Sequence, residues 1–131
     1  MKMTQEDRDE WVAALRSGKY EQTKGVLMHA DQVRACCLGV LCDLQAEKGL
    51  LTKRVEKCNV MFQDPNNKYD AQVGLLPYVL TQRFEAKTAR CPVTFHGANR
   101  TLAGLNDDDV PFSVIADLIE DQVEIVPSYS F

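Results

Sequence analysis

The sequence predicts an α+β fold: one compact domain over residues 1–131, with four or five helices and a small, mostly antiparallel sheet. Three observations point there. Apolar residues recur at helical spacing in separate segments, most clearly Cys37, Val40, Leu41 and Leu44, and again Phe112, Ile115 and Ile119. Short strand-like runs, such as Val60-Met61-Phe62 and Val93-Thr94-Phe95, end in turn chemistry at 63–67 and at His96-Gly97. Finally, 131 residues, 45% of them hydrophobic and 26% charged, suit one globular domain, and no linker or internal repeat divides them. A chain of this size buries roughly two thirds of its unfolded surface, enough for a core without disulfides or a structural metal.

Thr4 is the expected N-cap of the first helix, with Glu6 and Asp7 suited to the positive end of the helix dipole. Trp11, Ala14 and Leu15 give it an apolar face, and Gly18 stops it. Residues 25–28 and 33–35 flank the polar stretch 29–32 and predict a short hairpin. A central helix follows over 36–47, buried on one face, with Asp43, Gln45 and Glu47 off the apolar stripe and Gly49 closing it. Gly39 inside that helix costs about 1 kcal/mol relative to Ala, which predicts a close crossing of another backbone.

Residues 52–70 read as a hairpin with Lys68-Tyr69-Asp70 returning, or as a long surface loop. Pro77, Val79, Leu80 and Phe84 mark a third helix, residues 91–95 a strand, and Leu102 and Leu105 a short helix before Asp107-Asp108-Asp109. Pro111 opens the last helix, buried on one face, and 123–126 reads as a strand held to an edge or terminal position by Pro127.

Charge is segregated beneath the net −4. Residues 1–47 carry six Lys/Arg against eight Asp/Glu, residues 48–100 nine against four, and residues 101–131 none against seven. The sequence predicts neither a membrane span nor a secreted chain: no apolar run approaches about 20 residues, and the charged start lacks a signal-peptide core. Five cysteines, an odd number without a CxxC pair, are expected to be reduced thiols packed as small hydrophobes in a cytosol. With two histidines and no metal-ligand spacing, no metal and no cofactor are expected.

The blocks Trp11-Val12-Ala13-Ala14-Leu15-Arg16-Ser17-Gly18, Cys36-Cys37-Leu38-Gly39-Val40-Leu41-Cys42-Asp43-Leu44, Leu105-Asn106-Asp107 and Phe112-Ser113-Val114-Ile115-Ala116-Asp117-Leu118-Ile119-Glu120 resemble a group of small bacteriophage and prophage proteins of uncharacterised function. With Tyr20, Gln22 and Gly25-Val26-Leu27 between them, they cover about half the chain in the group's order. Pro111 departs from the small polar residue usual in the group. The resemblance implies an accessory protein acting in the cytoplasm of an infected bacterium, on host processes or against host defence.

Two function classes follow. The first is a non-enzymatic binding protein for a host protein or a small anionic, nucleotide-like ligand. Its candidate residues are Arg54, Lys57, Tyr69, Arg83, Lys87, Arg90 and Arg100, because cationic side chains take phosphate oxygens while aromatic rings stack on bases. No glycine-rich phosphate loop occurs, so side chains would have to hold the anion. The second class is a cysteine-dependent enzyme using Cys91 with His96, or Cys36 with His29. A strand between Cys91 and His96 would point them to opposite faces. The Asp107-Asp108-Asp109 run lacks calcium-loop spacing and reads as a solvated turn. The negative overall charge and the absence of a basic recognition helix disfavour nucleic acid.

Overall fold

A computed structural model describes residues 1–127. In chain order the elements are β1 (Lys2–Thr4), α1 (Gln5–Arg16), β2 (Glu21–Gln22), β3 (Arg34–Ala35), α2 (Cys37–Glu47), β4 (Thr52–Glu56), β5 (Asn59–Asp64), β6 (Asn67–Gln72), α3 (Tyr78–Arg83), β7 (Pro92–Phe95), β8 (Ala98–Thr101), α4 (Leu102–Asp107), α5 (Phe112–Gln122) and β9 (Glu124–Val126). Five helices with small sheets around one core make this an α+β domain, as the sequence predicts. The strands are shared among four sheets: the antiparallel meander β4-β5-β6, the antiparallel hairpin β7-β8, and the parallel pairs β1-β9 and β2-β3.

α1 starts where the sequence puts it. The Thr4 hydroxyl accepts from the Asp7 N–H at 3.2 Å, and Gly18 adopts φ +76° beyond the helix end. Its buried apolar residues are Trp11, Val12 and Leu15, the helix packs on α5 and α2, and the Trp11 indole donates to the Cys37 carbonyl at 2.9 Å.

The expected hairpin at 25–35 forms, but only in part. Met28 and Ala35 bridge antiparallel, and Asp31 Oδ1 accepts from the N–H groups of Val33 and Arg34 to make the turn. Those two donors, with the Arg34 guanidinium, hold the Asp31 carboxyl well below the usual carboxylate range. The regular pairing of β3 is instead parallel, to β2, in the register Glu21↔Arg34. The sequence offers no sign of this pairing, because β2 is two polar residues long.

α2 is more deeply placed than its amphipathic pattern predicts. Residues 37–43 and Gln45 are all buried, so the expectation of one buried face is corrected. Asp43 and Gln45 go inside because each finds partners. Asp43 accepts from the Tyr20 hydroxyl at 2.6 Å and from Lys53 at 2.8 Å, while the Gln45 amide donates to Asp7 at 3.4 Å. Gly39 meets the predicted crossing: a Cβ there would stand 1.7 Å from the Leu27 carbonyl oxygen, which itself accepts from the Cys36 N–H. α5 does bury one face, through Phe112, Ile115, Ala116 and Ile119.

Pro77 and Pro111 stand just before α3 and α5, and neither caps its helix with a side chain. Distant residues supply the caps. The Asp70 carboxylate accepts from the N–H groups of Tyr78 and Val79 at 2.8 and 2.9 Å, and Gln22 Oε1 accepts from the Phe112 N–H at 3.1 Å. The 52–70 segment is the meander, with buried Val60 and Phe62 on the central strand and the turn at Pro65-Asn66. Strand β9 pairs with β1, at the terminal position its proline implies.

Candidate anion-binding cleft

Pro92–Phe95 is a strand because its Val-Thr-Phe run suits extended backbone, and it reverses at His96 and Gly97, both at positive φ (50° and 76°). The returning strand β8 places Asn99 opposite Thr94 and Arg100 opposite Val93. Gln122, the last residue of α5, clasps this hairpin: its amide accepts from the Thr94 N–H at 2.8 Å and donates to the Thr94 carbonyl at 2.6 Å. Between the hairpin, the end of α5 and the loop after α3 lies an open cleft of about 530 Å³. Lys87, Thr94, Asn99, Arg100 and Gln122 are among its lining residues.

Two cationic residues, Lys87 and Arg100, therefore line it. The Arg100 guanidinium donates to Asp108 through one nitrogen, which leaves its other N–H groups for a ligand. Lys87 has no carboxylate partner among the described residues. Ammonium and guanidinium groups are the donors that phosphate oxygens take, and Thr94 and Asn99 line the same cleft.

The other five candidate residues lie elsewhere. Arg54 pairs with Glu56 at 2.6 Å on the outer strand of the meander, and Lys57 sits in the β4-β5 turn at φ 53°. Tyr69 is 84% exposed on β6, with the Lys68 ammonium 5.2 Å from its ring centre. Arg83 ends α3, within 3.9 Å of buried Asp7. Arg90 lines a narrower pocket of about 170 Å³ with Cys36 and Asp107. Thus the basic middle of the chain is spread over several faces, and Lys87 and Arg100 are the candidates that share a cleft. No local pattern marks Thr94, Asn99 or Gln122 as lining a cleft; His96-Gly97, two residues fit for a hairpin turn, is the sequence signal of β8.

Neither cysteine pair of the enzyme reading is assembled. Cys91 is 1% exposed, and burial pushes its thiol up to about 12. His96 lies beyond the far end of β7, exposed, its ring tilted against that of Phe95 with the centroids 4.1 Å apart. His29 Nε2 contacts the Thr23 hydroxyl at 3.0 Å, whereas Cys36 Sγ accepts from the Gly39 N–H and is pushed up by burial to about 11. The acidic run splays to three partners: Asp107 to the Gly25 N–H, Asp108 to Arg100 and Asp109 to Lys24. Among the described residues no cluster of three or more His, Cys, Asp or Glu side chains is arranged to hold a metal. Nor, among the described residues, is any helix long and apolar enough to cross a membrane.

A small α+β domain with a basic open cleft is thus the class that fold and site define. The chain belongs to the family described as a domain of unknown function, DUF8296, whose profile matches residues 3–123. No curated protein and no solved structure matches the chain.

Proposed function

We propose that the protein is a non-enzymatic binding protein that holds a small phosphate-bearing anion in the Lys87–Arg100 cleft. The observation carrying this reading is that a lysine with no carboxylate partner among the described residues and a partly free arginine line one cleft, with Thr94, Asn99 and Gln122 beside them. Two charge-assisted contacts of this kind are each worth about 1.5–3 kcal/mol. The buried, protonated state that raised thiol pKa values give Cys36 and Cys91 supports binding rather than thiolate catalysis. The setting we propose, a phage accessory protein acting against host defence in the cytoplasm of its bacterial host, rests on the resemblance of the Trp11, Cys36-Cys37, Asn106 and Phe112 blocks.

The test is calorimetric titration with inorganic pyrophosphate and with adenine nucleotides. Lys87→Glu and Arg100→Glu are expected to weaken binding by about tenfold or more, whereas Arg54→Glu, on the meander and outside the cleft, leaves it unchanged. Absence of binding by the wild type to every one of these anions would sink the reading.

A second reading, docking of a host protein, is favoured by the open edge of the meander. β4 is exposed along its whole length, with Val55 half exposed. Under that reading Arg54→Glu, not Lys87→Glu, removes the activity.

A further inference from the structure

We infer that the cleft's ligand is a nucleoside phosphate whose base lies in a neighbouring groove against Tyr78. This rests on the anion-binding reading of the cleft and adds the second half of the ligand. The groove, about 410 Å³, runs along the start of α3 and the loop leading to β7, and its lining includes Leu75, Leu76, Tyr78, Thr88 and Gln72. Lys87 lines both cavities. The apolar groove and the cationic cleft therefore adjoin at Lys87, and a ligand lying across that residue has one charged end and one apolar end.

The apolar end fits a planar ring. Tyr78 is 62% exposed, so much of its ring is open to a ligand in the groove it lines. It is also held in place from two sides. The Asp70 carboxylate fixes its backbone N–H at 2.8 Å, and Gln82 Nε2 donates to its phenolic oxygen at 2.8 Å. A ring ordered before binding loses little entropy when a base stacks on it. The half-buried Gln72 amide and the Thr88 hydroxyl on the same groove supply a donor and acceptors for the edge of a heterocycle, which a purely aliphatic ligand would leave unused. Stacking is sequence-tolerant because every base has a π-face, so the inference names the class, nucleoside phosphates, rather than one base.

The experiment compares inorganic phosphate, pyrophosphate, adenosine, AMP, ADP and UMP by calorimetry against the wild type, Tyr78→Ala, Tyr78→Phe and Lys87→Glu. Each nucleotide is expected to bind about tenfold or more tighter than the inorganic anion with the same number of phosphates. Tyr78→Ala removes that advantage and leaves pyrophosphate affinity unchanged, Tyr78→Phe keeps it, and Lys87→Glu weakens both kinds of ligand. If the inorganic anions bind as tightly as the nucleotides and Tyr78→Ala changes nothing, the base groove is overturned while the anion-binding cleft stands. If neither class binds, both fall.

Discussion

Asp108 competes with whatever the cleft holds. Its carboxylate is 66% exposed and shares the Arg100 guanidinium, so part of the cleft's positive charge is already neutralised when it is empty. Asp108→Asn is therefore expected to raise the affinity for pyrophosphate several-fold without shifting the melting temperature, because an exposed ion pair contributes about 0–1 kcal/mol to stability. An unchanged or lower affinity in that variant would mean that Arg100 does not face the anion. The thiols supply another residue-scale expectation. Cys36, Cys37, Cys42 and Cys91 are buried and Cys58 is exposed, with burial pushing all four inner thiols up. In the native protein near neutral pH one thiol, Cys58, reacts rapidly with a disulfide reagent, and Cys58→Ser abolishes that phase. All five react once the chain is denatured. Rapid modification of Cys36 or Cys91 in the native state would reopen the enzyme reading. Much at this scale was hidden from the sequence. Asn106 looks like a turn residue, yet its Oδ1 accepts from Gln22 and from the Cys37 N–H while its amide donates to the Thr23 carbonyl. Those partners stand 69 to 84 positions away, and no local pattern encodes contacts at that separation.

Elements were easier to foresee than their surroundings. Thr4 and Gly18 carry the local chemistry of a cap and a stop, and α1 begins and ends by them. α2 shows the limit: its stripe fixes a helix but not how many neighbours cover it. α1, β3, β4 and α4 all pack on it, so even its off-stripe Asp43 and Gln45 are enclosed. Gly39 is where this crowding becomes testable. Alanine is a better helix former by about 1 kcal/mol, and at an open site Gly39→Ala would stabilise. Here the new methyl meets the Leu27 carbonyl, a backbone atom that cannot rotate away and that already closes the turn before α2. Overpacking costs about 1–3 kcal/mol even where side chains can adjust, so the variant is expected to lose at least that much in urea unfolding. A melting temperature equal to or above the wild type's would show that the two backbones do not cross so closely. The strand elements were less legible, because β2, β3 and β8 are too short and too polar to leave a period-2 signature.

Across the whole molecule, charge works inside as well as outside, and pH is the variable that exposes it. Asp7 is 6% exposed, yet it draws three parts of the chain together. Lys48, just after α2, reaches it at 2.6 Å, Gln45 of α2 at 3.4 Å and Arg83 of α3 at 3.9 Å. Burial by itself would raise the Asp7 pKa. The hydrogen bond and charge of Lys48, the Gln45 amide and the Arg83 charge outweigh it, and the carboxyl ends below its usual 3.8. A group with a depressed folded pKa contributes stability that is fully present above its unfolded value and is lost as pH falls through the folded one. The fold should therefore hold its Asp7-dependent stability at neutral pH and down to about pH 5, then lose it as the solution becomes more acid. Asp7→Asn keeps the shape but not the charge, leaving Lys48 with Glu10 alone at 2.9 Å. Breaking such a buried pair from one side costs about 3–5 kcal/mol when both partners are enclosed, and less here because Lys48 is partly exposed. The urea midpoints of wild type and Asp7→Asn are thus expected to differ by a constant amount above about pH 5 and to converge toward pH 3. Because Trp11 of α1 is buried and bonded to Cys37 of α2, its fluorescence and the helical circular dichroism should report one shared transition at each pH. A wild type that gains stability on acidification, or a gap between the two proteins that widens at low pH, would mean that Asp7 is not held ionised by these three partners.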